Sequence, residues 1–114
     1  IQNTFPMENW DVMKKFIGDT HGHDHIMCTR ELFNWHFCRE GYQKNASVLS
    51  LYSDDKLIGM LGYLPTDFLW GNSSKIIKGA WMSHWMVDKK YRFGPGVLLM
   101  RRMQENFPIV LYVR

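Results

Sequence analysis

The chain reads as an α+β domain with a mixed, mostly antiparallel sheet and helices on both faces, in the order α-α-β-β-β-α-β. Three observations predict this. The first third spaces its apolar residues at a helical period, the middle switches to strand-like runs joined by short turns, and a proline-led helical pattern separates the last two strands.

Residues 7–17 place Trp10, Met13, Phe16 and Ile17 on one helical face, with Gly18 as the stop. A polar loop with His21, His23 and His25 follows. Thr29 is placed to cap a second helix over 30–40, with Leu32, Phe33, Trp35, His36 and Phe37 as its stripe and Gly41 closing it. Residues 47–53 read as a strand, Asp54-Asp55-Lys56 as a tight turn, and 57–64 as a second strand stopped by Pro65. After a turn at Gly71-Asn72-Ser73-Ser74 comes a long third strand, 76–87. Pro95 suits the first position of a helix whose buried stripe is Val97, Met100, Met103 and Phe107. Pro108 ends it, and 109–113 forms a last strand. Short turns make the first three strands antiparallel, and the helical crossover makes the last strand parallel to the third.

The 114 residues suffice for a single domain, 1–114, with one core. Apolar residues are 46% and charged residues 22%, an ordinary globular balance. A net charge of +3 suits an anionic ligand, and with no nucleic-acid motif present it argues against a nucleic-acid partner. No apolar run approaches a membrane span. No charged-then-apolar leader opens the chain, which points to the cytoplasm. Cys28 and Cys38 read as reduced core thiols.

The densest chemistry lies in 85–106. An apolar strand end (Trp85, Met86, Val87) runs into a basic turn with Lys89, Lys90 and Arg92. Gly94 and Gly96 flank Pro95, and the helix begins at once. Free backbone N–H groups, the positive end of a helix dipole and an arginine then meet in one place, which suits a phosphate.

These residues resemble the GNAT superfamily of acetyl-CoA-dependent N-acyltransferases. The match to the family's Q/R-x-x-G-x-G/A signature is Arg92, Gly94 and Gly96, followed by Val97-Leu98-Leu99-Met100. The run from His25 to Phe37 bears a fainter resemblance to GNAT proteins of bacterial surface-polysaccharide synthesis. The loop is one residue shorter than the family pattern, Pro95 removes one N–H donor, and the chain stops after what corresponds to the family's fifth strand, so the resemblance implies that the family's C-terminal part is missing. A homodimer partner or a remaining segment would then cover the last strand.

The resemblance implies acetyl-CoA as cosubstrate and a small-molecule amine, of the amino-sugar class, as acceptor. It assigns the diphosphate to Arg92, Phe93, Gly94, Gly96 and Val97, and the pantetheine arm to the backbone of Trp85, Met86 and Val87. Alternation along the strand puts Trp81, Ser83, Trp85 and Val87 on one face and Ala80, Met82, His84 and Met86 on the other. His84 is the candidate base, because imidazole titrates near neutrality. Ser83 is its companion, and Asp67 and Glu31 are alternatives. His25 and Trp81 are the acceptor-side candidates. The His21-to-His25 cluster, without the spacing of a closed site, implies no metal. A CoA- or partner-binding module without catalysis is the competing reading.

Overall fold

The computed structural model describes residues 1–38, 45–69, 71, 75–91 and 94–112. The elements are β1 (Phe5–Pro6), α1 (Trp10–His21), α2 (Arg30–Phe37), β2 (Asn45–Ala46), β3 (Val48–Ser53), β4 (Lys56–Leu69), β5 (Ile76–Val87), α3 (Pro95–Asn106) and β6 (Ile109–Tyr112). The main sheet has the order β3-β4-β5-β6; its first three strands are antiparallel and β6 runs parallel to β5. The predicted α+β class holds, and the predicted order α-α-β-β-β-α-β is found with two short strands, β1 and β2, added to it.

Helices α1 and α2 cover one face of the sheet. Their core is aromatic and sulfur-rich, with Trp10, Met13, Phe16, Phe33 and Phe37 packed against Val48, Met60 and Met86. Helix α3 covers the other face, where Leu99 and Met103 meet Leu49, Leu51, Leu61, Ala80 and Met82. Each face removes a continuous apolar layer from water, the main favourable term in folding.

Several boundaries differ from the sequence expectation for identifiable reasons. The N-terminal segment forms an unforeseen edge: Gln2 exchanges backbone hydrogen bonds with Ser50, and Phe5 pairs with Ala46. Its signature is one fully buried ring, Phe5, with no alternating run to announce it. Helix α1 passes through Gly18 and stops at Gly22, whose φ of 100° favours glycine. A Cβ at Gly18 would meet the His23 imidazole, an exposed ring free to swing into solvent, so this contact does not demand glycine there. Helix α2 ends at Phe37; residues 39–40 and Gly41 lie outside the described residues, as do 72–74 of the turn after β4.

Pro65 does not stop β4. The Tyr63 N–H points to the β3 side, donating to the Ser47 carbonyl, so the Pro65 nitrogen two residues on faces the same way. Pairing with β3 has already ended at Gly62, so the missing donor breaks no rung of the β4–β5 ladder. Asp54 and Asp55, both at positive φ, make the tight β3–β4 hairpin. In α3 the buried stripe is Leu99 and Met103, with Met100 and Phe107 beside it, whereas Val97 is 60% exposed.

Candidate active site on the bulged end of β5

The site begins with one extra residue. Ser83 pairs with Gly62 and Trp85 with Leu61, so His84 has no cross-strand partner. This is a β-bulge, and His84 takes the left-handed conformation, φ 59°. The bulge inverts the pleat. Ala80 and Met82 lie in the α3-side core, but Met86 lies in the α1–α2 core. Trp85 turns to α3, its indole in van der Waals reach of a Cβ built on Gly96, and Val87 packs on the α3 side as well. The alternation read from sequence is thus broken at its centre: Ser83 and Trp85 no longer share a face, nor do Met82 and Met86.

His84 is turned toward α2. Its ring lies 5.3 Å from that of His36, 5.8 Å from Phe37 and 6.0 Å from His25. Gly62 makes this approach possible, since a Cβ there would overlap the Phe37 ring and the Ser83 carbonyl. The Ser83 hydroxyl lies 2.6 Å from His84 Nδ1 and 3.1 Å from His36 Nε2, bridging the two imidazoles. His25 is held from below: its Nδ1 accepts the Met27 N–H at 3.1 Å, so a neutral His25 carries its proton on Nε2.

Burial lowers the His84 pKa from its ordinary value, and the neighbouring His36, His25 and His21 push it further down. Burial also lowers that of His36. His21 is lowered by burial, then by His25 and Lys89. At neutral pH His84, His36 and His21 are therefore uncharged, the state a general base requires.

The second part of the site is the start of α3. Gly94, at φ 101°, turns the chain into the helix, and Pro95 occupies its first position. The Leu98 N–H already bonds the Gly94 carbonyl. Gly96 and Val97 precede the first intrahelical donors, and among the described residues no side chain caps this end. Arg92 and Phe93 lie outside the described residues. Beside this helix start, residues 83–87 bond on the β4 side, and β6 pairs with β5 only over 79–82 among the described residues.

His25, Ser83 and His84 thus come together, with His36 added. Sequence reading had placed His36 in an apolar stripe; an imidazole one residue before the buried Phe37 was the available signal. Trp85, Val87, Gly94, Gly96 and Val97 gather on the opposite face, while the Met86 side chain is buried in the α1–α2 core. Trp81 sits farther along β5, with its ring 6.4 Å from that of Phe68. Asp67 is spoken for by Lys78 at 2.7 Å on the far half of β4, and Glu31 is in the first turn of α2. Cys28 and Cys38 are free thiols. A cleft of about 560 Å³ lies between α1 and the ends of β4 and β5, lined by Val12, Phe16, Lys56 and Lys89 among others; none of the imidazoles lines it. Among the described residues, no group of three or more His, Cys, Asp or Glu converges as metal ligands, and no helix is long and apolar enough to cross a membrane.

No protein-family model and no curated protein matches the chain in sequence. Solved structures do match in fold. An acetyltransferase from Vibrio fischeri superposes with a TM-score of 0.62 at 18% identity, covering 96% of this chain and 93% of that one. A GCN5-related N-acetyltransferase from Kribbella flavida gives 0.61 at 21% identity, over 90% of this chain and 25% of that one. A Trypanosoma brucei acetyltransferase gives 0.62 at 10% identity, over 97% and 80%. The chain has the fold of GCN5-related N-acetyltransferases.

Proposed function

We propose that this protein binds acetyl-CoA and transfers its acetyl group to a primary amine, with an amino sugar as the acceptor class. The observation that carries the reading is the bulge at His84. It lies between the start of α3 on one face of the sheet and a cluster of imidazoles on the other. A thioester laid along the edge of 83–87 would place its diphosphate at the Gly96 and Val97 N–H groups. Arg92 and Phe93 complete that end in this reading. The pantetheine arm would pair with the backbone of 85–87, as an added strand does. Its acyl end would then reach the bulge.

There the His84 Nε2 takes a proton from the amine as nitrogen attacks the thioester carbonyl. The tetrahedral oxyanion is met by backbone N–H groups that the bulge frees from the ladder, and its collapse expels the CoA thiolate. Ser83 fixes the His84 ring. His25, with its proton on Nε2, offers a donor to the acceptor, and Trp81 lines the approach along the same strand.

Pro95 favours a second reading, a CoA-binding module without catalysis, because it removes one donor from the phosphate end. Calorimetry with acetyl-CoA, followed by thiol release with a panel of amines, separates the two. Saturable binding that Gly96→Asp abolishes, with turnover on an amine, supports the enzyme. Binding without turnover on any amine supports the module, and no binding at all ends both.

A further inference from the structure

We propose that His36 is the proton outlet of this site, connected to His84 by the Ser83 hydroxyl as a three-residue proton wire. The inference rests on the acyl-transfer reading for its direction, but its geometry stands on the two hydrogen bonds of Ser83 Oγ, 2.6 Å to His84 Nδ1 and 3.1 Å to His36 Nε2.

A serine hydroxyl has one hydrogen, so it donates to one imidazole and accepts from the other. If it donates to His84 Nδ1, the neutral His84 ring carries its hydrogen on Nε2 and has no lone pair there for an amine proton. If it donates to His36 Nε2, it accepts from the His84 Nδ1–H, and His84 Nε2 is free to act as a base. In that arrangement both rings carry hydrogen on Nδ1.

The transfer then balances without any added reactant. His84 Nε2 gains the amine proton. The Nδ1 proton of His84 passes to Ser83 Oγ, and the hydroxyl passes its own proton to His36 Nε2. His84 ends neutral with hydrogen on Nε2, Ser83 is again a hydroxyl, and His36 ends as an imidazolium. Loss of the Nδ1 proton of His36 to water leaves both rings neutral with hydrogen on Nε2, and exchange of each ring's proton with water, off Nε2 and onto Nδ1, resets the site.

The surroundings favour this direction. A charge on His84 is opposed by burial and by His36 from α2, His25 from the loop and His21 from the end of α1, with Lys89 beside His21. Burial opposes a charge on His36 as well, but His36 sits in the last turn of α2, where the helix dipole favours a cation, and its other ring neighbours among the described residues are the uncharged Trp35 and Phe37. Arg30 and Glu31 of the same helix lie in its first turn. The wire thus moves positive charge from His84, which faces three other imidazoles, to the one that stands at a helix terminus.

Two measurements test this. Long-range ¹H–¹⁵N spectra of the full chain at pH 8, without ligand, read the tautomers directly. The expected result is hydrogen on Nδ1 of both His84 and His36, with Ser83→Ala shifting both titrations. Hydrogen on Nε2 of His84 in the unsubstituted chain, or titrations untouched by Ser83→Ala, would overturn the wire. In kinetics, His36→Gln keeps a hydrogen-bonding group but cannot relay. It should lower kcat about tenfold or more, leave the KM for acetyl-CoA within about twofold and alter the pH profile of kcat. Added imidazole should recover part of the rate in His36→Gly. An unchanged kcat and pH profile in a folded His36→Gln would also overturn the proposal. A wild-type chain with no turnover would remove the acyl-transfer reading, while the tautomers still decide the wire.

Discussion

The two halves of β5 share one strand and do different work. In the first, 79–82 bond to β4 on one side and β6 on the other, and Ala80 and Met82 point regularly into the α3-side core. In the second, 83–87 bond to β4 alone among the described residues, and the inserted His84 inverts every side chain that follows. The first half is a structural strand. The second presents a backbone edge, a strained imidazole and a helix start within a few residues. A single unpaired residue separates scaffold from candidate site, because side-chain direction in a strand has a period of two and one insertion reverses it.

The sharpest way to break this comparison is to truncate one residue in each half. His84→Ala should lower kcat by about 10²–10⁴-fold, the usual contribution of a general base, with acetyl-CoA affinity in calorimetry unchanged within about twofold. Turnover at the wild-type rate would remove His84 from the chemistry. Met82→Ala should instead act on the fold, costing about 2–5 kcal/mol in urea unfolding through the cavity left beside Leu61 and Leu99. A cost no larger than that of a surface substitution would mean that the first half is not the scaffold.

A smaller effect sharpens the role of the bulge. At φ 59° an L-residue is strained by about 1–2 kcal/mol and glycine is not. His84→Gly should therefore unfold at a higher urea concentration than His84→Ala, although both lose the ring. Equal midpoints would show that the left-handed conformation relaxes once the imidazole is gone.

The smallest effect is pH dependence. His36 and His84 have folded pKa values lowered from 6.5, so the unfolded chain binds protons first as pH falls. Their contribution to stability is fully present above about 6.5 and is lost as pH drops through the lowered folded values. The melting temperature should decline from pH 7 to pH 5, and His36→Gln should flatten that decline. An identical slope in the variant would mean that its imidazole is not held neutral by the fold.

Much of the scaffold was legible because its signals are local. The turn at Asp54 and Asp55, the span Ile76–Val87 and the helix starting at Pro95 each follow from short-range chemistry: a two-residue hairpin, a long apolar run and a proline fit for a first turn. Errors arose where local signals were degenerate. Val97, Leu98, Leu99 and Met100 are four apolar residues in a row, so the phase of α3 could not be read from them; contact with Leu51 and Ile58 selects Leu99. Gly18 reads as the helix stop, yet the chain runs on to Gly22, where it takes φ 100°. The candidate site was legible in part: Ser83, His84, His25 and the Gly94–Gly96 pair are conspicuous residue types, but His36 is hidden in a stripe of rings.

The order of the helices and main-sheet strands, the antiparallel hairpins, the parallel last strand and the residue types able to bind phosphate or take a proton follow from the sequence by itself, since each depends on neighbours a few positions away. Tertiary structure alone decided that His84 bulges, that Trp85 faces α3 and that His36 joins Ser83 from 47 positions away. Those outcomes depend on how β4 and β5 fall into register and on Gly62 leaving room for Phe37, long-range packing that no local spacing encodes.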